Sequence, residues 1–227
     1  MTKIKLCGLM RPQDIETANA LRPDFVGFVF APGSKRCVTA EQAGALRALL
    51  DPSIPAVGVF VDAQPAAVAE LLAQGIIDIA QLHGSEDETY VSELRRLTDK
   101  PLIRAFRFDA QGDAAASGEV LRAAEHFPSD AVLYDSGAGS GMELNRELLT
   151  DAQRPYFLAG GLTPGNIAEA VLQLHPYAVD VSSGIETEGR KDPAKMAAFV
   201  EAVRAADGKQ IHGLTITIQQ EGQHDES

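Results

Sequence analysis

The chain has 227 residues, 45% hydrophobic and 23% charged, enough apolar material for a sizeable core and too much for a disordered polymer. Its 20 Lys and Arg against 32 Asp and Glu leave a net charge of -12, which repels phosphate polymers and anionic membrane surfaces and so excludes nucleic acid and membrane as expected partners. No run approaches the roughly 18 apolar residues that span a bilayer, the first segment lacks the apolar stretch of a signal peptide, and two cysteines without CxxC spacing frame neither a disulfide scaffold nor a zinc site. A cytoplasmic location is expected.

In chain order, short β-rich runs recur: KIKLC (3–7), DFVGFVF (24–30), AVGVFV (56–61), IIDIAQL (76–82), LIRAF (102–106), AVLYD (131–135), YFLAG (156–160) and AVDVS (178–182). They end near Cys7, Phe30, Val61, Leu82, Phe106, Asp135, Ala159 and Val181, at spacings of 21 to 31 residues, the length of a strand plus a covering helix. Their nearly continuous apolar character fits strands covered by helices on one face and packed into a core on the other. Thr39 with Gln42 and Ser85 with Glu88 have capping-box spacing, Pro164 stands where the first residue of a helix is expected, and Gly75 stands where an alanine- and leucine-rich helix should end.

Eight such units predict an α/β fold, a single-domain (β/α)8 TIM barrel over residues 1–205; a doubly wound open sheet is the competitor and usually has fewer strands. Residues 206–227 form a C-terminal tail outside the units. Their polar, acidic end reads as a frayed, disordered terminus, with LTITI (214–218) the place for one added edge strand.

In a barrel, chemistry belongs at the C-terminal ends of the strands. Cys7 sits there, although a lone strand cysteine is more often a small buried hydrophobe. Gly160 and Gly161 after strand 7, with Ser182, Ser183 and Gly184 after strand 8, place small residues and backbone N–H groups where barrels usually hold phosphate; ordinary tight turns are the alternative. Asp135 opens the glycine- and serine-rich loop of LYDSGAGSG and can serve as a general acid or as a helix cap. Asp180, flanked by valines, must be paired or face a pocket. Arg36 in APGSKRCVT can grip a carboxylate bidentately, and His83 in QLHGSE is either a satisfied polar residue or a substrate contact.

Together KIKLCGL, DFVGFVFAPGSKRCVT, VGVFVD, QLHGSED, LYDSGAGSG, LAGGLTPGNI and AVDVSSGIETEGRKD, in that order over residues 3–205, resemble the phosphoribosylanthranilate isomerase family. The resemblance implies an Amadori rearrangement of N-(5'-phosphoribosyl)anthranilate without metal or organic cofactor, in a monomer or homodimer acting on this small phosphosugar. It implies Cys7 as general base, Asp135 as general acid, Arg36 on the anthranilate carboxylate, Asp180 near the bridging nitrogen, and the glycines and serines after strands 7 and 8 as the phosphate grip. A base at Cys7 calls for surroundings that favour thiolate, with Lys5 and Arg36 the candidate cations. Two features depart from the family. The loop after strand 6 reads GAGSGMELNREL rather than a Gly-Gly-Thr-Gly-like run before an aromatic-Asp-Trp-like segment, and Cys37, where an aromatic residue is common, puts a second thiol close to Arg36, open to a partial role or to an adventitious disulfide with Cys7 that should not persist in a reducing cytosol. The histidine-pathway isomerase type, or an enzyme accepting both substrates, is the competing enzyme reading; such barrels use two aspartates, so Cys7 and APGSKR argue against it. A non-catalytic phosphate-ligand sensor is the reading from another class, opposed by the joint presence of Cys7, Arg36, Asp135 and Asp180.

Overall fold

Eight short strands occupy the predicted runs: β1 (Lys3–Cys7), β2 (Phe25–Val29), β3 (Ala56–Phe60), β4 (Ile79–Leu82), β5 (Leu102–Arg107), β6 (Ala131–Asp135), β7 (Tyr156–Ala159) and β8 (Ala178–Val181). In this computed structural model, which describes residues 1–107, 114–135, 149 and 152–221 (side chains at 114–117 and 209–221 excepted), each strand pairs in parallel with the next. β8 then pairs with β1 in the register Lys5 to Asp180, which closes the barrel. The helices α1 (Pro12–Leu21), α2 (Ala40–Leu49), α3 (Pro65–Ala73), α4 (Glu88–Arg95), α5 (Ala114–His126), α6 (Ile167–Leu174) and α7 (Pro193–Glu221) alternate with the strands. Among the described residues no helix is long and apolar enough to cross a membrane.

Because successive strand residues point to opposite faces, each strand contributes to two cores. Ile4 and Leu6 of β1 join the large cluster between sheet and helices, with Val26, Phe28, Leu82 and Val179. Phe25, Val57, Ile103, Leu133, Phe157 and Ala178 fill the inside of the barrel. α6 shows how a helix covers the sheet: Ile167, Ala170, Val171 and Leu174 recur at helical spacing and are all buried. Its three larger side chains each contribute roughly 1.5–3 kcal/mol of burial.

The inner face is not apolar throughout. Lys3, Lys5 and Cys7 share the inner side of β1 by their alternate spacing. Lys3 lies over the rings of Phe25 and Tyr177 at the N-terminal end of the barrel, Lys5 is fully buried in the middle, and Cys7 reaches the C-terminal end. Gly27 is required opposite the thiol, since a Cβ there would sit 2.7 Å from Cys7 Sγ. β1 is also tied to the last helix: Thr2 donates through its amide (2.9 Å) and its hydroxyl (3.0 Å) to the carboxylate of Asp207.

The local signals divide. Thr39 and Gln42 form the predicted capping box, and Gly75, at φ +69°, ends α3 with the Ile76 amide on Leu71 O and its own amide on Leu72 O. Ser85 and Glu88 do not form one. Asp87 caps α4 by accepting from the Tyr90 amide, while Ser85 donates to Asp62, which the sequence spacing could not reveal. Pro164 does not open α6. It lies in a turn before it, where Asn166 Oδ1 accepts from the Thr163 amide, and the helix starts at Ile167.

The expected tail is also different. Ala206 and Asp207 are buried, so the packing passes residue 205, and LTITI continues the backbone of α7 instead of adding an edge strand. Residues 222–227 and the loop 136–148 lie outside the described residues.

Candidate active site

A cavity of about 300 Å³ opens at the C-terminal ends of the strands and is lined by Cys7, Arg36, His83, Asp135, Asp180, Gly160, Gly161, Ser182 and Ser183. Of the predicted residues only Gly184 stands off this wall. A Cβ at Gly184 would lie 1.8 Å from Leu162 O, so the glycine lets the loops after β7 and β8 touch. Gly160 and Gly161 adopt φ +91° and +61°, which L side chains rarely reach. Cys37 is exposed, Cys7 is buried, and both cysteines are free.

Beneath the cavity lies a buried polar layer. Lys5 Nζ donates to Asp180 Oδ2 (3.0 Å) and to Gln81 Oε1 (2.9 Å). Asp180 Oδ1 is buried and has no hydrogen-bond partner among the described residues. Burial works to lower Lys5, but Asp180 and Cys7 hold it above its ordinary value, so it stays a cation. Burial pushes the Cys7 thiol up and Asp180 adds to this; Lys5 and Lys191 pull it down without cancelling the rise. The expected cation is therefore present at Lys5, yet the resting group is a thiol. A thiol of this kind yields a strong base once ionised.

Arg36 is not a vacant fork. Its Nε and Nη2 donate to Glu186 Oε1 (2.6 Å) and Oε2 (2.8 Å), and Lys191 Nζ donates to the same Oε1 (2.7 Å). Despite its burial, the two cations draw Glu186 down to about 2. A two-residue hairpin builds this cluster: β9 (Glu186–Thr187) pairs with β10 (Arg190–Lys191) around Glu188 and Gly189, both at positive φ, which sets Glu186 opposite Lys191. Lys191 Nζ also donates to Ser182 O (2.9 Å) and so anchors the loop after β8. The sequence reading missed Gln81, Glu186 and Lys191. The signals were there: Gln81 is on the same strand face as His83, and EG lies between ET and RK at hairpin spacing.

His83 is held on both sides. Its amide donates to Phe60 O (2.8 Å), its Nε2 lies 3.1 Å from Asp135 Oδ2, and its Nδ1 lies 2.9 Å from Gln81 Nε2. The loop behind it is shaped by buried Glu86, which accepts from the amides of Asp62 (2.8 Å) and Gly84 (2.7 Å), and by Arg104, which donates to Leu82 O and Gly84 O.

A family model described as N-(5'phosphoribosyl)anthranilate (PRA) isomerase matches residues 4–202. The chain belongs to the phosphoribosylanthranilate isomerase family. Among relatives, the N-(5'-phosphoribosyl)anthranilate isomerase of Thermoanaerobacter sp. (strain X514) is 43% identical over 90% of this chain and 98% of its own. The phosphoribosyl anthranilate isomerase structure from Thermotoga maritima aligns at TM-score 0.79 and 30% identity over 90% of this chain and all of that one. Another solved family member, in complex with reduced 1-(o-carboxyphenylamino)-1-deoxyribulose 5-phosphate, aligns at TM-score 0.77 and 29% identity with the same coverage. The closed eight-stranded barrel accords with these solved family members.

Proposed function

We infer that the chain is the isomerase of tryptophan biosynthesis that converts N-(5'-phosphoribosyl)anthranilate into 1-(2-carboxyphenylamino)-1-deoxyribulose 5-phosphate, with Cys7 as general base and Asp135 as general acid. One observation carries the assignment of roles: Cys7 from β1 and Asp135 from β6 line the same cavity as the glycine and serine loops after β7 and β8. Asp135 protonates the ribose ring oxygen, the ring opens, and the anthranilate nitrogen and C1 form a Schiff base. Cys7, ionised beside the Lys5 ammonium, takes the C2 proton, and the resulting enolamine tautomerises to the ketose.

The other groups position the substrate. Ser182, Ser183, Gly160 and Gly161 receive the phosphate through small side chains and backbone N–H groups, with Gly184 keeping the two loops together. Glu186 engages one edge of Arg36, so the anthranilate carboxylate meets the outer end of the guanidinium. Asp180 Oδ1 accepts from the bridging N–H, and His83 contacts substrate beside Asp135. The protein works in the cytoplasm as a monomer or homodimer; the Thermotoga maritima relative is named as dimeric.

The test is incubation with enzymatically generated phosphoribosylanthranilate while anthranilate fluorescence is followed, without tryptophan background because the chain has none. Decay faster than spontaneous hydrolysis, lost on Cys7→Ser and on Asp135→Asn, supports the reading. Near-normal turnover of either variant removes that residue from its role.

A further inference from the structure

We propose that Gln81 is a positioning residue for proton donation: locked by Lys5, it fixes the His83 imidazole in the tautomer whose Nε2–H is aimed at the Asp135 carboxyl. This rests on the reading of Asp135 as the acid. The chain of contacts is complete. Lys5 has only donors, so its 2.9 Å contact requires the carbonyl oxygen of Gln81 to face it. The opposite amide orientation would set an NH2 against an ammonium. With Oε1 fixed, the Gln81 NH2 points at His83 Nδ1, 2.9 Å away, and Nδ1 must be the acceptor. The remaining ring proton then resides on Nε2, which lies 3.1 Å from Asp135 Oδ2. Gln81 is 1% exposed and Lys5 is wholly buried, so water does not compete for the bond that sets the Gln81 amide.

The tautomer matters because of what Asp135 must do. When the acid gives its proton to the ring oxygen, negative charge grows on its carboxyl. An N–H already directed at Oδ2 stabilises that charge as it forms, without reorganisation. The other tautomer would present a lone pair at Nε2. That lone pair would hold the acid's proton on the side away from the substrate and repel the carboxylate once the proton had left.

Gln81→Glu separates this role from packing. The new carboxylate has nearly the same shape and still accepts from Lys5, but it can only accept from His83, so it calls for the proton on Nδ1. The experiment is nitrogen-detected NMR of ring-labelled histidine in the full chain at pH 8, with His83 assigned among the five histidines by His83→Asn, together with steady-state kinetics. The expected result is an Nε2–H signature in the unsubstituted protein and an Nδ1–H signature in Gln81→Glu. A fall in kcat of about a hundredfold should accompany it, with KM changed by less than about threefold. In an Asp135→Asn background Gln81→Glu should cost nothing further. An Nδ1–H signature in the unsubstituted protein overturns the proposal even if the variant does not fold. A tautomer change with unaltered kcat, or a fall in kcat with the tautomer unchanged, overturns it too. If Asp135→Asn alone leaves turnover intact, the acid assignment fails, and the NMR readout still reports whether Gln81 governs the ring.

Discussion

Lys5→Met examines the buried polar layer directly. Lys5 is fully buried and its ammonium is 3.0 Å from Asp180 Oδ2, a separation at which opposite charges attract by roughly 5 kcal/mol at an effective dielectric of ~20. Burial of both groups offsets most of that gain, so the pair adds little compared with an apolar one. Removing the cation alone is different. It leaves the Asp180 carboxylate buried, with Oδ1 lacking a partner among the described residues and Oδ2 now losing its own. The expected cost is about 3–5 kcal/mol. Asp180→Leu, which strands the ammonium, should cost a similar amount. The double variant removes both charges and should retain a deficit of only about 1–2 kcal/mol, from the lost Lys5 bond to Gln81. Urea unfolding followed by far-UV circular dichroism gives all three values. Losses that simply add in the double variant would refute the account, since they would mean that neither charge depends on the other for its place in the core.

The raised Cys7 thiol predicts that kcat/KM climbs with pH through the range above an ordinary thiol value of about 8.5, because the base must be ionised and burial opposes ionisation. A pH profile that is already flat below pH 7 would contradict this. Glu186→Gln should destabilise the fold by about 2–3 kcal/mol at neutral pH. Since Glu186 is held at about 2 when folded and ionises near 4.3 when unfolded, its contribution is present above pH ~4.3 and vanishes as pH falls towards 2. Acid titration of unfolding for both proteins checks this, and a difference persisting at pH 2 would speak against it. Gly184→Ala puts a methyl 1.8 Å from Leu162 O, a backbone contact that no rotamer relieves. It should raise KM about tenfold and weaken competition by inorganic phosphate, as initial rates will show.

The barrel was legible because its evidence is periodic: eight apolar runs at regular intervals specify eight strands however the side chains meet. Nine of ten candidate site residues fall around one cavity for a related reason, since the strand-end rule needs only the direction of each strand. What stayed hidden depends on pairing across the barrel. Lys5 shares a face with Cys7 by simple alternation, but its partners Gln81 and Asp180 come from β4 and β8, far along the chain. Glu186 reaches Arg36 only because a tight hairpin turns it there. A base at Cys7 calls for surroundings that favour thiolate, and the sequence offers only candidate cations; burial, which no linear pattern measures, outweighs the cations that are present. Pro164 and Ser85 misled because turn and cap spacings are degenerate, and neighbouring Asn166 and Asp87 supply the oxygens actually used.

The two hydrogen bonds from Thr2 to Asp207 tie the start of the first strand to the last helix, a contact that exists only once the whole barrel has been made. Until β8 and α7 have emerged from the ribosome, β1 has β2 on one side and nothing on the other, and the growing sheet carries two exposed margins able to recruit stray strands from other nascent chains. A lysine in the middle of that first margin would be costly to bury beside a foreign strand without its aspartate, so the charge that the closed barrel accommodates also disfavours mispairing.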